Sequence, residues 1–509
     1  MANPSSDQFP TSVAGLPPAR AVEVVELADG DVFDLRIAPV AKRLGDATVR
    51  MLAYDGSIPG PTLKVREGSE VLVDVENQGD AEATVHWHGL RLENRYDGTH
   101  ETQRPVAVGE RFSARVRFPD PGVYWYHPHI REDYGQEMGL YGNVLVEPAD
   151  PHYWPPVHRE VLLTLDDVLL EDGRVAPFSR ATTTHSAMGR FGDVLLVSGE
   201  TDLSLRARPG EVVRFYLTNT ANTRVFDVAL PGAPMKLVGG DSGRVEREEL
   251  VDHVVLAPSE RAVVDVLVVG RRQLTLEHRT PDRTYRLASI EVGGDRPDPP
   301  LAGRFAALRT NADMVAERQR ITPYLEAEPD KVLAFLAEMD HGAHDPSGHD
   351  HAHDPGGHRR GDSTVGGGIE WEDGMVEMNR ASTPSNMRWK IVDRATGAEN
   401  QAIDWRFRVG DQVKIRLLNE MAGDHPMHHP FHVHGAGRFL VLGRDGITEP
   451  NLVWKDTVLV RTGETVDILL DVSNVGRWMA HCHIAEHHET GMMFSFTVAP
   501  ATTATDGGA

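Results

Sequence analysis

Residues 478–493 read WMAHCHIAEHHETGMM and hold the only cysteine of the 509-residue chain. Cys482 sits between His481 and His483, with His487 five residues on and Met492 ten residues on. Thiolate, imidazole and thioether donors together suit copper, whereas the hard cations take oxygen. In an extended strand, successive side chains point to opposite faces. His481 and His483 therefore face one way and Cys482 the other. One strand can thus join a copper site on its front to a second metal site on its back. A lone buried cysteine is ordinarily a small apolar core residue. The flanking histidines and the methionine at a fixed offset set this one apart.

The same offsets occur earlier in the chain. Gly122, His127, His129 and Met138 repeat the spacing of Gly476, His481, His483 and Met492, with Pro128 in place of Cys482 and Asp133 in place of His487. The earlier copy keeps the paired histidines and lacks the sulfur site. A strand pattern recurs three times: Gly68, Val71, Val73, Val75, Asn77; Gly210, Val213, Phe215, Leu217, Asn219; and Gly410, Val413, Ile415, Leu417, Asn419. In each, Gly makes a turn, alternating apolar residues face a core and Asn ends the strand. The pattern predicts an all-β chain of three homologous β-sandwich domains, at 1–150, 151–300 and 369–509. The middle domain has no paired histidines, since its equivalent stretch reads NTRVFDVALPG. It is expected to be a spacer without metal that forms part of a substrate wall. Residues 303–338 carry Ala, Leu and Met at helical spacing and predict one or two helices interrupted near Pro323. His341–His358 is a Gly-, Asp- and His-rich tract that cannot bury a core and is expected to be disordered. These two stretches make residues 301–368 an insert between the second and third domains.

Composition narrows the function classes. The formal net charge of −24 argues against nucleic acid and against anionic membrane surfaces. With one cysteine, no disulfide forms within the chain, so the fold does not depend on an oxidising compartment. No apolar run approaches the ~18 residues of a membrane span. The N-terminal MANPSSDQFPTSVAG has neither an apolar core segment nor a twin-Arg pair. This reads as a cytoplasmic protein as encoded, the alternative being export with the signal removed.

Histidine is the outlier, at 25 residues. Four segments carry His-x-His: HWHG (His86, His88), HPH (His127, His129), HPFHVHG (His432, His434, with His429 upstream) and HCH (His481, His483). Residues i and i+2 of a strand share a face, so each pair presents two imidazoles in one direction. Eight imidazoles exceed the needs of one four-coordinate metal, so several metals are implied. His429 lies at an odd offset from His432 and points to the face that Cys482 uses. Parity thus sorts the ligands into one site of His429, Cys482, His487 and Met492 and another of the eight paired histidines. His425 and His428 remain ambiguous.

These motifs and the domain repeat resemble the three-domain bacterial multicopper oxidases of the laccase and cuprous-oxidase branch. The resemblance implies cupredoxin-like Greek-key domains and four copper ions: one type 1, one type 2 and a type 3 pair. It implies that His429, Cys482 and His487 hold the type 1 copper with Met492 as weak axial ligand. His86 and His432 would hold the type 2 copper, and His88, His127, His129, His434, His481 and His483 the type 3 pair. The family's acidic residue after HWHG falls on Asp97, placed to orient ligands and deliver protons. Many relatives carry an acid directly after the second type 1 histidine. Here that position is His488, with Glu486 and Glu489 nearby, and an imidazole can also shuttle protons.

The expected reaction is one-electron oxidation of phenols or aromatic amines coupled to reduction of O2 to water. Electrons would enter where His429 or His487 comes nearest the surface and pass along Cys482 to His481 and His483. The runner-up is a cuprous oxidase for copper tolerance, supported by the His-rich tract and by Met314, Met339, Met492 and Met493. A copper-binding protein without turnover and a copper nitrite reductase fit the motif set less well. The first and third domains can meet within one chain, so a monomer is expected.

Overall fold

The computed structural model describes residues 7–270, 272–339, 367–421 and 426–502. The His341–His358 tract and His425 lie outside them. Three β-sandwiches follow one another, each with its own apolar core. The first packs the five-stranded sheet that ends in Gly142–Glu147, Gly122–His127 and His86–His88 against a four-stranded sheet built around Glu70–Asn77. The second and third each pair a six-stranded with a five-stranded sheet. Among the described residues no helix is long and apolar enough to cross a membrane.

The threefold strand pattern has a single structural meaning. Glu70–Asn77, Val212–Asn219 and Gln412–Asn419 each lie between a parallel and an antiparallel neighbour, and the registers agree: Ile37 lies opposite Asn77, Leu165 opposite Asn219 and Phe335 opposite Asn419. Gly68, Gly210 and Gly410 turn into these strands at φ of +88°, +82° and +99°, where a Cβ is strained. The closing asparagines are buried and act as substitute backbone. Asn77 Nδ2 donates to the carbonyls of Ala81 and Val106, Asn219 Nδ2 to those of Arg224 and Leu256, and Asn419 Nδ2 to those of Met427 and Val460. Each side-chain oxygen accepts the amide N–H two residues on, from Gly79, Ala221 and Met421. The chain leaves the sheet there, so these groups would otherwise be buried without partners.

The insert departs from expectation in one segment. Ala302–Ala306 and Ala312–Leu325 are helices, the second with Pro323 in its last turn. Lys331–Met339 (KVLAFLAEM) is a strand, not a helix. It pairs antiparallel with Met387–Asp393 and parallel with Gln412–Asn419. It thereby fills the place that Val32–Leu44 and Arg159–Val168 fill in the other two sandwiches. The demand for a parallel neighbour at Gln412–Asn419 overrides the helical propensity of Ala and Leu, so the third sandwich begins some 40 residues before 369. Met314 of the helix is buried against Leu440, Leu442 and Trp454, a core residue and no metal relay.

Candidate metal centre

Cys482 ends the strand Gly476–Cys482, in register with His429–Val433: Phe431 lies opposite Cys482 and His432 opposite His481. The face shared by Cys482, Phe431 and His429 turns into the third core, and the face shared by His481 and His432 turns toward the first sandwich. The short helix Ala485–Glu489 then returns His487 to the sulfur. His429 Nδ1 lies 3.4 Å and His487 Nδ1 3.6 Å from Cys482 Sγ. Met492 is fully buried beside them, its N–H bonded to His487 O and its carbonyl accepting from Cys482 N. Burial, aided by the charge of Glu132, pushes the Cys482 thiol up against the Ile484 N–H that donates to its sulfur, so the thiolate needs a cation beside it.

Both imidazoles of this site are fully buried, so neither ring edge reaches solvent. Trp389 stacks on His487 at 4.1 Å and meets His429 edge-on at 4.9 Å. Its indole N–H donates to Ser186 O of the middle sandwich's Ser186–Gly189 segment, which Asn379 and Ser382 pin from the other side. A loop of the middle sandwich and Trp389 of the strand Met387–Asp393 thus cover the sulfur site, an arrangement between domains that a strand-by-strand reading does not reveal.

The eight paired histidines converge between the first and third sandwiches, all buried. Their rings interleave, His86 lying 4.1 Å from His434 and His88 3.8 Å from His432, and the resemblance sorts them into two triads and a pair. His129, His434 and His481 lie 4.9–5.1 Å apart. His88, His127 and His483 lie 5.0–5.7 Å apart. His86 and His432 remain, 5.9 Å apart. Hydrogen bonds fix which nitrogen faces inward. Nδ1 of His86, His127, His432 and His481 donates to the carbonyls of Asp97, Pro128, Asp456 and Cys482. His434 Nδ1 donates to Asp97 Oδ2 at 2.9 Å, and His88 Nε2 to Asp456 Oδ1 at 2.9 Å.

The opposite nitrogens are left bare. His86, His127 and His432 Nε2 and His88 Nδ1 have no partner. His434 Nε2 and His481 Nε2 face each other at 3.0 Å, two lone pairs that repel unless a cation lies with them. Burial lowers the basicity of His88, His127, His432 and His481, which favours the neutral, ligating form. The residues fit bound copper at both places: a sulfur–imidazole site and a nitrogen-only cluster.

Of the acids and bases read from the sequence, Asp97 lies at the centre. Burial would raise its carboxyl, but the imidazoles of His434 and His86 outweigh this and hold it below the usual carboxylate range. The His488 ring is 4.6 Å from both His129 and His481. Glu486 is engaged elsewhere, by Asn222 and Thr223 of the middle sandwich, and burial pushes it up to about 7. Reasoning from the sequence missed Glu132. From the first sandwich it sits 3.3 Å from His127, 3.6 Å from His483 and 3.1 Å from His488 Nδ1, fully buried. The signal was present: Glu132 stands five residues after His127, as Glu486 stands five after His481. Asp456 and Arg261 were missed as well. His428 is buried and accepts Glu370 N–H, a structural bond.

The multicopper oxidase family profiles match residues 39–151 and 375–502, the two segments that supply these histidines. The chain is 25% identical to multicopper oxidase MmcO of Mycobacterium tuberculosis, over 95% of this chain and 91% of that one. It is similar to a crystal structure of a Pseudomonas thermotolerans multi-copper oxidase (26% identity, TM-score 0.66, covering 94% of this chain and all of that one). It shares its fold with the Campylobacter jejuni multicopper oxidase, described as a metallo-oxidase (21% identity, TM-score 0.68, 98% and 100% coverage). With two copper-fit sites linked by Cys482 and both terminal sandwiches matched, the chain belongs to the multicopper oxidase family, whose members oxidise donors with O2 as acceptor and carry four coppers.

Proposed function

We propose that this oxidase takes electrons from small donors acting across a protein cover, with Cu(I) preferred over bulky phenols. The observation that carries this reading is the burial of His429 and His487 under Trp389 and the Ser186–Gly189 segment. A phenol ring has no imidazole edge to rest against, whereas a small cation needs only a short path and nearby acids. Phenols and aromatic amines form the second reading. A cavity of about 590 Å³ beside the cover, walled by His185, Phe191, Asp193, Glu372, Val376 and Arg380, has room for one aromatic donor.

In this reading His429, Cys482 and His487, with Met492, hold the type 1 copper. The two triads hold the type 3 pair, and His86 with His432 the type 2 ion. Bound copper supplies the one-electron steps and the affinity for O2 that side chains lack. The chain's own part is positional. Cys482 is joined by single peptide links to His481 and His483, so the two sites share one strand. Asp97 and Asp456 fix the tautomers of four histidines. Glu132 lies beside His488, and its carboxylate can hold a proton between His127, His483 and His488. Glu489 extends that path outward, its Oε1 accepting the Glu132 N–H. One chain completes both sites, which supports a monomer.

The test is oxygen uptake by the copper-loaded protein with Cu(I) and with a dimethoxyphenol, side by side. The reading expects uptake with Cu(I) to exceed that with the phenol. Faster phenol turnover without added copper would favour the second reading, and no uptake with either would remove both.

A further inference from the structure

The middle sandwich supplies none of the clustered histidines, yet it reaches the centre through Arg261. This side chain is fully buried, and all five of its N–H donors are used. Nε donates to Val123 O of the first sandwich at 3.0 Å. Nη1 and Nη2 donate to Ser259 O and Asp241 O of the second, each at 3.0 Å. The remaining two grip Asp456 of the third side-on, at 2.7 Å to Oδ1 and 2.6 Å to Oδ2. One guanidinium therefore ties all three sandwiches at one point.

Asp456 passes that geometry on. Its Oδ1 accepts from His88 Nε2 at 2.9 Å, and its backbone carbonyl accepts from His432 Nδ1 at 2.9 Å. Asp97 does the reciprocal: its carbonyl holds His86 and its carboxylate holds His434 across the interface. Each aspartate thus fixes one histidine of its own sandwich and one of the other. They differ in company. Among the described residues, Asp97 forms ion pairs only with histidines, while Asp456 is locked by an arginine. The glycine of HWHG follows from the same junction. A Cβ at Gly89 would lie 2.5 Å from Asp456 Oδ2 and 2.9 Å from Arg261 Nη2, and its φ is +83°.

We propose that Arg261 and Asp456 are positioning residues of the eight-histidine centre, and that through them the middle sandwich sets the tautomer and orientation of His88. This rests on the reading that the centre holds copper. Groups that orient metal-bound histidines typically carry ~10–100-fold of metal affinity or activity. An isolated buried carboxylate is costly, so Asp456 can serve His88 only with Arg261 beside it.

The test compares the copper-loaded wild type with Asp456→Asn, Arg261→Met and Arg261→Lys. Three quantities are read: copper per chain, the blue thiolate–copper absorption, and the rates at which donor bleaches and O2 restores that colour. In Asp456→Asn and Arg261→Met, blue absorption per chain and anaerobic bleaching should stay at wild-type values. Copper per chain should fall from four toward the single blue ion, or reoxidation should slow by ~10–100-fold. Arg261→Lys should recover part of the loss. Full copper and wild-type reoxidation in both variants would overturn the proposal. So would loss of blue colour in step with the rest, because the pair would then merely hold the fold. A wild type that binds copper without blue colour would instead overturn the underlying reading of the sites.

Discussion

Six of the eight clustered histidines secure one ring nitrogen on a named oxygen; in four of them the other nitrogen has no partner, and in His434 and His481 the two others face each other. That is the residue-scale signature of a metal-ligating set, and it assigns work to neighbours that bind no metal themselves. Glu132 is the sharpest case. Burial opposes its ionisation, yet His483, His127 and His488 together hold its carboxyl below the ordinary range. Replacing it by Gln keeps the shape and removes the charge. We expect Glu132→Gln to slow O2-dependent reoxidation by ~100-fold or more, the scale of a lost acid–base group, with donor bleaching of the type 1 colour unchanged. Equal slowing of both steps would count against it. At the sulfur site Met492 is the soft axial candidate, and the axial ligand tunes potential. Met492→Leu should raise the type 1 potential in a redox titration, and a fall would contradict the assignment. The histidine pairs, His429 and Cys482 were legible because strand parity is strict, whereas His487 and Met492 lie past the end of the strand and were placed by the resemblance. Glu132, Asp456 and Arg261 were not, because part of what each does crosses between sandwiches: Glu132 meets His483 and His488, Asp456 holds His88, and Arg261 grips Asp456.

At the scale of elements, the recurring Asn is what the repeat preserves. Asn219 Nδ2 satisfies two buried carbonyls and its oxygen one buried N–H. Asn219→Ala leaves all three without a partner, at ~1–3 kcal/mol for each group. We expect a marked drop in Tm, with the blue colour intact below the transition because no copper ligand is touched; an unchanged Tm would show that water replaces the amide. The sequence disclosed these strands through the alternation of apolar residues. It misled at Lys331–Met339, where Ala and Leu favour a helix locally while the strand Gln412–Asn419, some 80 residues later, requires a parallel partner. Local pattern carries no information about such distant pairing.

For the whole molecule, the interfaces between sandwiches carry charge as well as ligands. Glu137, at the end of the helix Glu132–Glu137, meets the middle sandwich with Oε1 accepting Leu169 N–H and Oε2 without a partner. Burial raises its carboxyl well above the ordinary value of 4.5, outweighing nearby Arg190. A folded-state value above the unfolded one means that the folded chain keeps a proton the unfolded chain releases. Stability is then fullest below pH 4.5 and falls as pH rises toward the folded value. Glu137→Gln removes this loss, so its Tm advantage over wild type should grow between about pH 5 and pH 8; an advantage independent of pH would contradict the buried, protonated carboxyl. The central claim is that Cys482 alone distinguishes the two metal sites on one strand. It is tested most directly by copper analysis and visible absorption of wild type and Cys482→Ser after identical copper loading. The expected result is four coppers per chain and a blue colour in wild type, against about one copper fewer, no blue colour and no oxygen uptake in the variant. A variant that keeps the colour, or loses all its copper, would contradict it.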